Sequence, residues 1–140
     1  MAKEDVLKIC NQIADKGLLK TLGIKFVDVG SDFLTASMPV NEKVYQPDGI
    51  LHGGATVALA ETVGSAAVAV LTKNPNLIIR GIEINANHIK SVKNGNIMAT
   101  AKPIHLGKTI QLWEIRTVNE KNQLISISKL TTYTRVKNNN

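Results

Sequence analysis

Residues 49–72 read GILHGGATVALAETVGSAAVAVLT, and this stretch limits the fold more than any other part of the chain. It is small or apolar almost throughout. A helix that is apolar on every side needs cover on every side. The segment is long enough to cross a membrane, yet Glu61 stands near its middle, where a carboxylate is costly in lipid. Strand-like runs follow it. A soluble helix enclosed by a sheet is therefore expected, and no membrane partner. Glu61 itself asks for a reason, because a buried carboxylate without a partner is expensive and tends to neutralise.

The flanking segments supply the enclosure. Over residues 3–19, Val6, Ile9, Cys10, Ile13 and Leu18 recur near the helical period. Residues 22–29 and 33–40 read as strands joined by Gly30-Ser31-Asp32, a hairpin signal. Pro47-Asp48-Gly49 marks a turn, and the long helix starts around His52 to Gly54 and ends near Thr72, before Asn74-Pro75. Four more strands are predicted at 77–89, 96–105, 109–118 and 123–136, with hairpin turns at Asn94-Gly95 and Glu120-Lys121-Asn122. This order predicts an α+β fold, an antiparallel sheet wrapped around a central helix of about residues 53–72 and burying all its faces. With 140 residues, 44% of them hydrophobic, and no linker or repeat, one domain over 1–140 is expected, with residues 137–140 as a frayed tail.

A net charge of +6 points to an anionic partner. Nucleic acid is disfavoured: only 4% of residues are aromatic, and no basic run interleaves with stacking rings. A small ligand carrying phosphates fits the charge as well. Cys10 is the only cysteine, so no intramolecular disulfide can form. The three histidines lack metal-ligand spacing, and no metal or other cofactor is expected. The opening MAKEDVLKIC has no apolar core of a signal peptide, so a cytoplasmic location is expected.

Two features of the apolar helix can do chemistry. At its start, His52-Gly53-Gly54 offers unpaired backbone N–H groups and the positive helix end to an oxyanion. Further along, Glu61 is followed at i+4 by Ser65, on the same face and able to hydrogen-bond it. A carboxylate plus an oxyanion site suffices for acyl transfer to water. Gly53 and Glu61 are eight residues apart, about 12 Å along one helix at ~1.5 Å per residue. That is too far for both to grip one carbonyl. Two antiparallel copies of the helix would bring Gly53 of one chain toward Glu61 of another, so a site between subunits is expected.

These residues carry a resemblance. Q-P-x-G-x-L-H-G-G-A from Gln46, A-E-T-x-G-S from Ala60, E-I-N-A-N-H from Glu83, K-P-I-H-L-G-K from Lys102 and Q-L-W-E-I from Gln111 resemble the hotdog-fold acyl-CoA thioesterases. The branch is that of the 4-hydroxybenzoyl-CoA and phenylacetate-pathway enzymes, and within it the chain resembles the bacterial 1,4-dihydroxy-2-naphthoyl-CoA hydrolases of menaquinone synthesis and their siderophore-proofreading relatives. The resemblance implies hydrolysis of an acyl-CoA, with an aromatic acyl group. It implies Glu61 as general base or nucleophile and the Gly53 N–H as the donor that polarises the thioester carbonyl. Gln46 and His52 become polar groups near that carbonyl, and Ser65 the hydroxyl beside the carboxylate. Coenzyme A would meet Gly81, the run His88, Ile89, Lys90 and Ser91, and the run His105, Leu106, Gly107, Lys108, Thr109 and Ile110. A homo-oligomer, a dimer of dimers, is implied too.

The chain departs from its relatives in two places. Lys90 stands where many relatives carry arginine, which loses bidentate phosphate recognition. Asp48 stands where several relatives carry an apolar residue, which bears on the acyl group. Two other functions share such a fold. An enoyl-CoA hydratase would need an Asp and His pair, and no D-x-x-x-x-H stretch occurs here. A non-catalytic acyl-CoA binder would hold the thioester intact.

Overall fold

The computed structural model describes residues 1–138. Six antiparallel strands form one sheet: β1 (Lys25–Val29), β2 (Leu34–Pro39), β3 (Leu77–His88), β4 (Asn96–Leu106), β5 (Ile110–Val118) and β6 (Leu124–Val136). Their spatial order is β1-β2-β4-β5-β6-β3. Helices α1 (Lys3–Ala14) and α2 (Gly17–Leu22) precede the sheet, and α3 (Gly53–Thr72) lies between β2 and β3 in sequence.

Helix α3 fills the sheet's inner face. Its buried residues are Thr56, Leu59, Ala60, Val63, Gly64, Ala67 and Val68, spaced three and four apart along one broad face. They meet Leu34, Ala36, Ile97, Ala99, Trp113, Ile115 and Leu130 in a single core. Burying each large aliphatic side chain contributes about 1.5–3 kcal/mol. The expectation that every face of α3 would be covered is corrected here. The face carrying Ala58, Thr62, Ser65 and Ala69 is left to a cavity, because a sheet of six strands does not close around it.

Other differences have local causes. The predicted helix over 3–19 breaks at Gly17, whose φ of 63° only glycine adopts without strain. Residues 22–24, read as strand, instead end α2, with Gly23 left-handed at φ 71°. Asn94-Gly95 does turn the chain, but it joins no hairpin: β3 pairs with β6, and β4 pairs with β2 and β5. The turns at Gly30-Ser31-Asp32 and Glu120-Lys121-Asn122 do join neighbouring strands, as read. In the tail, the Lys137 N–H donates to the Asn76 carbonyl at 2.8 Å, so that residue is anchored rather than frayed. Residues 139–140 lie outside the described ones.

Two contacts set the place of α1. Asn11 pairs with the edge strand as a backbone would, accepting from the Phe26 N–H at 2.8 Å and donating to its carbonyl at 2.9 Å. Lys3 Nζ lies 2.5 Å from Asp28 Oδ1, and this partner holds the Asp28 carboxyl below its ordinary range. An exposed pair of this kind adds little stability. The amide clamp matters more, because it satisfies edge-strand groups.

A buried polar chain fixes β5 to β6. Thr132 Oγ1 accepts from Trp113 Nε1 at 3.1 Å and donates to Gln111 Oε1 at 2.7 Å. Gln111 Nε2 donates in turn to Thr134 Oγ1 and to the Gly107 carbonyl, both at 3.0 Å. Replacing Thr132 with Val keeps the shape but strands two buried polar groups. Thr132→Val is expected to lose about 2–6 kcal/mol, measured by urea unfolding, since each unsatisfied group costs about 1–3 kcal/mol. Thr131→Val, on the opposite strand face, should stay within roughly 0.5 kcal/mol.

Candidate active site

The start of α3 is built around a histidine cap. His52 Nδ1 accepts from the Gly54 N–H at 2.7 Å, so Nδ1 is unprotonated and the ring carries its proton on Nε2. The Ala55 and Thr56 N–H groups go to the His52 carbonyl. The Gly53 N–H is left without an acceptor among the described residues. The cap thus leaves one donor free, the one the sequence singled out.

That donor opens into a cavity of about 180 Å³ lined by Gln46, Thr56, His88, Ile89, Lys90 and Ser91 with Gly53. Here the structure joins residues that the resemblance had divided between carbonyl and coenzyme A. His88 is the clearest case. A Cβ on Gly53 would come 2.8 Å from His88 Nε2, so the ring lies against the helix start. Ser126 Oγ donates to the Asn87 carbonyl at 3.2 Å, which leaves it to accept from His88 Nδ1 at 3.0 Å. Nothing local in the sequence pointed to Ser126; it comes from β6, opposite His88 in the register. Gln46 Nε2 donates to Asp48 Oδ1 at 2.8 Å, giving Asp48 a positioning contact.

Glu61 lies elsewhere. It opens into a second cavity of about 980 Å³ between α3 and α1, together with Ser65. Its carboxylate makes no ion pair or hydrogen bond with any described residue, and the expected bond to Ser65 is not formed. Gly81 is its neighbour: a Cβ there would meet Glu61 Oε1 at 2.7 Å, so this glycine makes room for the carboxylate. Gly81 therefore sits apart from His88, Ile89, Lys90 and Ser91, which line the first cavity. Cys10 also lines this cavity, and burial pushes its thiol above the ordinary value, consistent with packing.

The remaining run, His105 to Ile110, makes the β4–β5 turn. The Thr109 and Lys108 carbonyls accept from Thr134, through its N–H at 2.8 Å and its hydroxyl at 3.1 Å. The His105 ring covers Gly107, 2.9 Å from where a Cβ would lie. Leu106 and Ile110 are exposed. Lys90 and Lys108 form no ion pair among the described residues. They are also far apart. The Lys90 N–H bonds to Ile125 and the Lys108 carbonyl to Thr134, nine residues on along β6, or about 30 Å at ~3.3 Å per residue.

The cap can be tested alone. His52→Ala should lower stability by about 0.5–2 kcal/mol in thermal unfolding, while His52→Asn, which also caps, should recover most of it.

Comparison with known proteins places the chain in a family. The thioesterase superfamily matches residues 48–126, which include α3 and β3. A 1,4-dihydroxy-2-naphthoyl-CoA hydrolase of Escherichia coli is 41% identical over 126 residues, covering 90% of this chain and 92% of that protein. A Listeria monocytogenes protein of the same name is 44% identical over 115 residues, covering 82% and 93%. The crystal structure of a Haemophilus influenzae thioesterase superposes with a TM-score of 0.89 at 40% identity, covering 93% of this chain and 90% of that one. With a six-stranded antiparallel sheet around a long helix, and relatives of this similarity along nearly all its length, the chain belongs to the thioesterase superfamily, has the hotdog fold and is a thioester hydrolase.

Proposed function

We propose that the protein hydrolyses an aromatic acyl-CoA in the cytoplasm, at sites shared between two copies of the chain. The observation that carries this reading is the division of the candidate residues. Gln46, Gly53, His88 and Lys90 gather at one cavity, by the C-terminal end of β3. Glu61, Ser65, Gly81 and the turn around Lys108 gather toward its other end, where Gly81 pairs with Thr132 and Ile79 with Thr134. Neither group is a complete site. β3 is the last strand of the sheet, with its outer side unpaired among the described residues. A two-fold axis there runs the two β3 strands antiparallel and sets one half of each chain against the other half of its partner. Two such pairs would make the dimer of dimers.

In that arrangement Glu61 takes a proton from water, or attacks the thioester carbonyl itself. The carbonyl oxygen gathers negative charge and is held by the Gly53 N–H at the positive end of α3. Collapse of the tetrahedral centre breaks the C–S bond. The leaving thiolate takes the proton back from Glu61 in the general-base route, and in the nucleophilic route water then cleaves the acyl–Glu61 anhydride to the free acid. Lys90 of one chain and Lys108 of the other lie near enough to reach phosphates of one coenzyme A. The aromatic acyl group is supported by the named naphthoyl-CoA hydrolases among the relatives.

Complementation tests the shared site. Glu61→Gln should lower kcat by roughly 10²–10⁴, the usual contribution of a positioned base. Gly53→Pro removes the other half's donor at a position where proline suits the helix; it also displaces His88, which belongs to the same half. Refolding an equal mixture should give roughly half mixed dimers, each with one intact site, and about one quarter of wild-type activity. No recovery, with mixed dimers confirmed by mass spectrometry, would rule the shared site out.

The lysines give an independent check. Lys90→Ala and Lys108→Ala should each raise KM for acyl-CoA with little change in kcat, because the phosphates are remote from the reacting carbon. For acyl-pantetheine substrates, which lack the nucleotide, both variants should match wild type.

A further inference from the structure

The start of α3 is flanked by two histidines held in opposite tautomers. His52 accepts the Gly54 N–H at Nδ1, so its proton lies on Nε2. His88 is the reverse case. Its Nδ1 lies 3.0 Å from Ser126 Oγ, and that hydroxyl has one proton, directed to the Asn87 carbonyl at 3.2 Å. Ser126 is 0% exposed, so solvent competes for neither bond. The hydroxyl is left to accept from the ring, which puts the ring proton on Nδ1 and leaves Nε2 bare.

A second observation, independent of Ser126, agrees with this. His88 Nε2 lies against Gly53, 2.8 Å from where a Cβ would be, at the positive end of α3. A proton on Nε2 would set a donor against the donors of the helix start, whereas a lone pair there is favoured. The outcome is an acceptor, His88 Nε2, beside a donor, the Gly53 N–H. Both residues line the cavity of about 180 Å³.

Coenzyme A carries a matching pair. Its thioester carbonyl oxygen accepts, and the first amide N–H of its thiol arm, three bonds from the sulfur and about 4 Å away, donates. Lys90 lines the same cavity two residues beyond His88, so an arm leaving Gly53 toward the phosphates passes the imidazole. We propose that Ser126 is a positioning residue for the hydrolysis: by holding His88 in the Nδ1–H form, it supplies the acceptor that takes this amide N–H while the carbonyl rests on Gly53. The proposal rests on the carbonyl site given above and adds a residue of β6 that acts only through His88. It also gives that site a selectivity, for thiols with an N–H at this place over thiols without one.

Histidine-selective 15N spectra of the free enzyme, with His88 identified by its loss in His88→Gln, read the tautomer directly. Wild type should show His88 as Nδ1–H, and Ser126→Ala should move it toward the Nε2–H form usual in water. Thr117→Val is the control, because Thr117 is opposite Ser126 on β5 and buried, with no hydroxyl partner among the described residues. It should leave the tautomer unchanged. Turnover is read on two benzoyl thioesters, of N-acetylcysteamine and of 2-acetoxyethanethiol, which differ in having N–H or oxygen at the arm position. Wild type and Thr117→Val should favour the amide by about two- to tenfold in kcat/KM, the range of one neutral hydrogen bond. Ser126→Ala should lose that preference, through KM rather than kcat. In a His88→Gln background, Ser126→Ala should change nothing further, as expected of a residue that acts through the ring. An Nε2–H His88 in wild type overturns the proposal, as does a Ser126→Ala protein that keeps the Nδ1–H form. Equal turnover of the two thioesters by wild type overturns it too. Failure of the underlying reading looks different: Glu61→Gln would keep its turnover of benzoyl-CoA.

Discussion

The packing of α3 against β6 is the constraint on which the other features depend. Gly64 faces Leu130 so closely that a Cβ on the helix would come 2.5 Å from Leu130 Cδ2. Helix and sheet therefore approach nearer than any larger residue at 64 would permit, and the rotation of the helix about its axis is fixed with them. Glu61 is three residues earlier, about 60° around the helix from Gly64. The rotation that buries Gly64 therefore turns Glu61 to the border between buried and open faces. There it meets Gly81 on one side and the larger cavity on the other. A helix rotated by one residue would bury the carboxylate or expose it fully.

Strand β3 does for the ends of the site what α3 does for its middle. Near its start Gly81 leaves space for the Glu61 carboxylate, and a bulge between Gly81 and Glu83 bends the strand there. At its end His88 lies on Gly53, held by Ser126 from the neighbouring strand. Two glycines that look alike in sequence thus have different partners. Gly53 is small because an imidazole covers it, and Gly81 because a carboxylate does. Both contacts are set by the register of β3 on β6, which is interrupted only at the bulge between Gly81 and Glu83.

Much of this was legible in the sequence. The apolar segment announced α3, His52 and the glycines its start, Asn74-Pro75 its end, and Glu61 the group out of place. The eight-residue spacing from Gly53 to Glu61 and the wide separation of Lys90 and Lys108 are the two premises of the shared site proposed above. What local sequence could not carry was non-local pairing. The Asn94-Gly95 turn is chemically a good hairpin signal, but the strands on either side of it find other partners. The position of Gly81 beside Glu61, the role of Ser126 and the clamp of Asn11 on Phe26 depend on the same long-range register. The open face of α3 was missed for a related reason: composition shows that a helix is apolar, not how far six strands reach around it.

The treatment of polar groups separates the scaffold from the site. Inside the sheet, Gln111, Trp113, Thr132 and Thr134 satisfy one another, and the same chain of bonds holds the turn that presents Lys108. Buried Thr117 and Ser128 hydroxyls lack partners among the described residues, a modest cost for neutral groups. A half-buried carboxylate is far more demanding, and it is Glu61 that has neither cation nor donor beside it among the described residues. Ser65, one turn away, makes no bond to it. A fold able to satisfy a buried glutamine on both ends of its amide is not short of donors for a glutamate. Leaving this one group unsatisfied keeps its oxygens available as proton acceptors, which is what a base for water or a nucleophile toward a thioester requires.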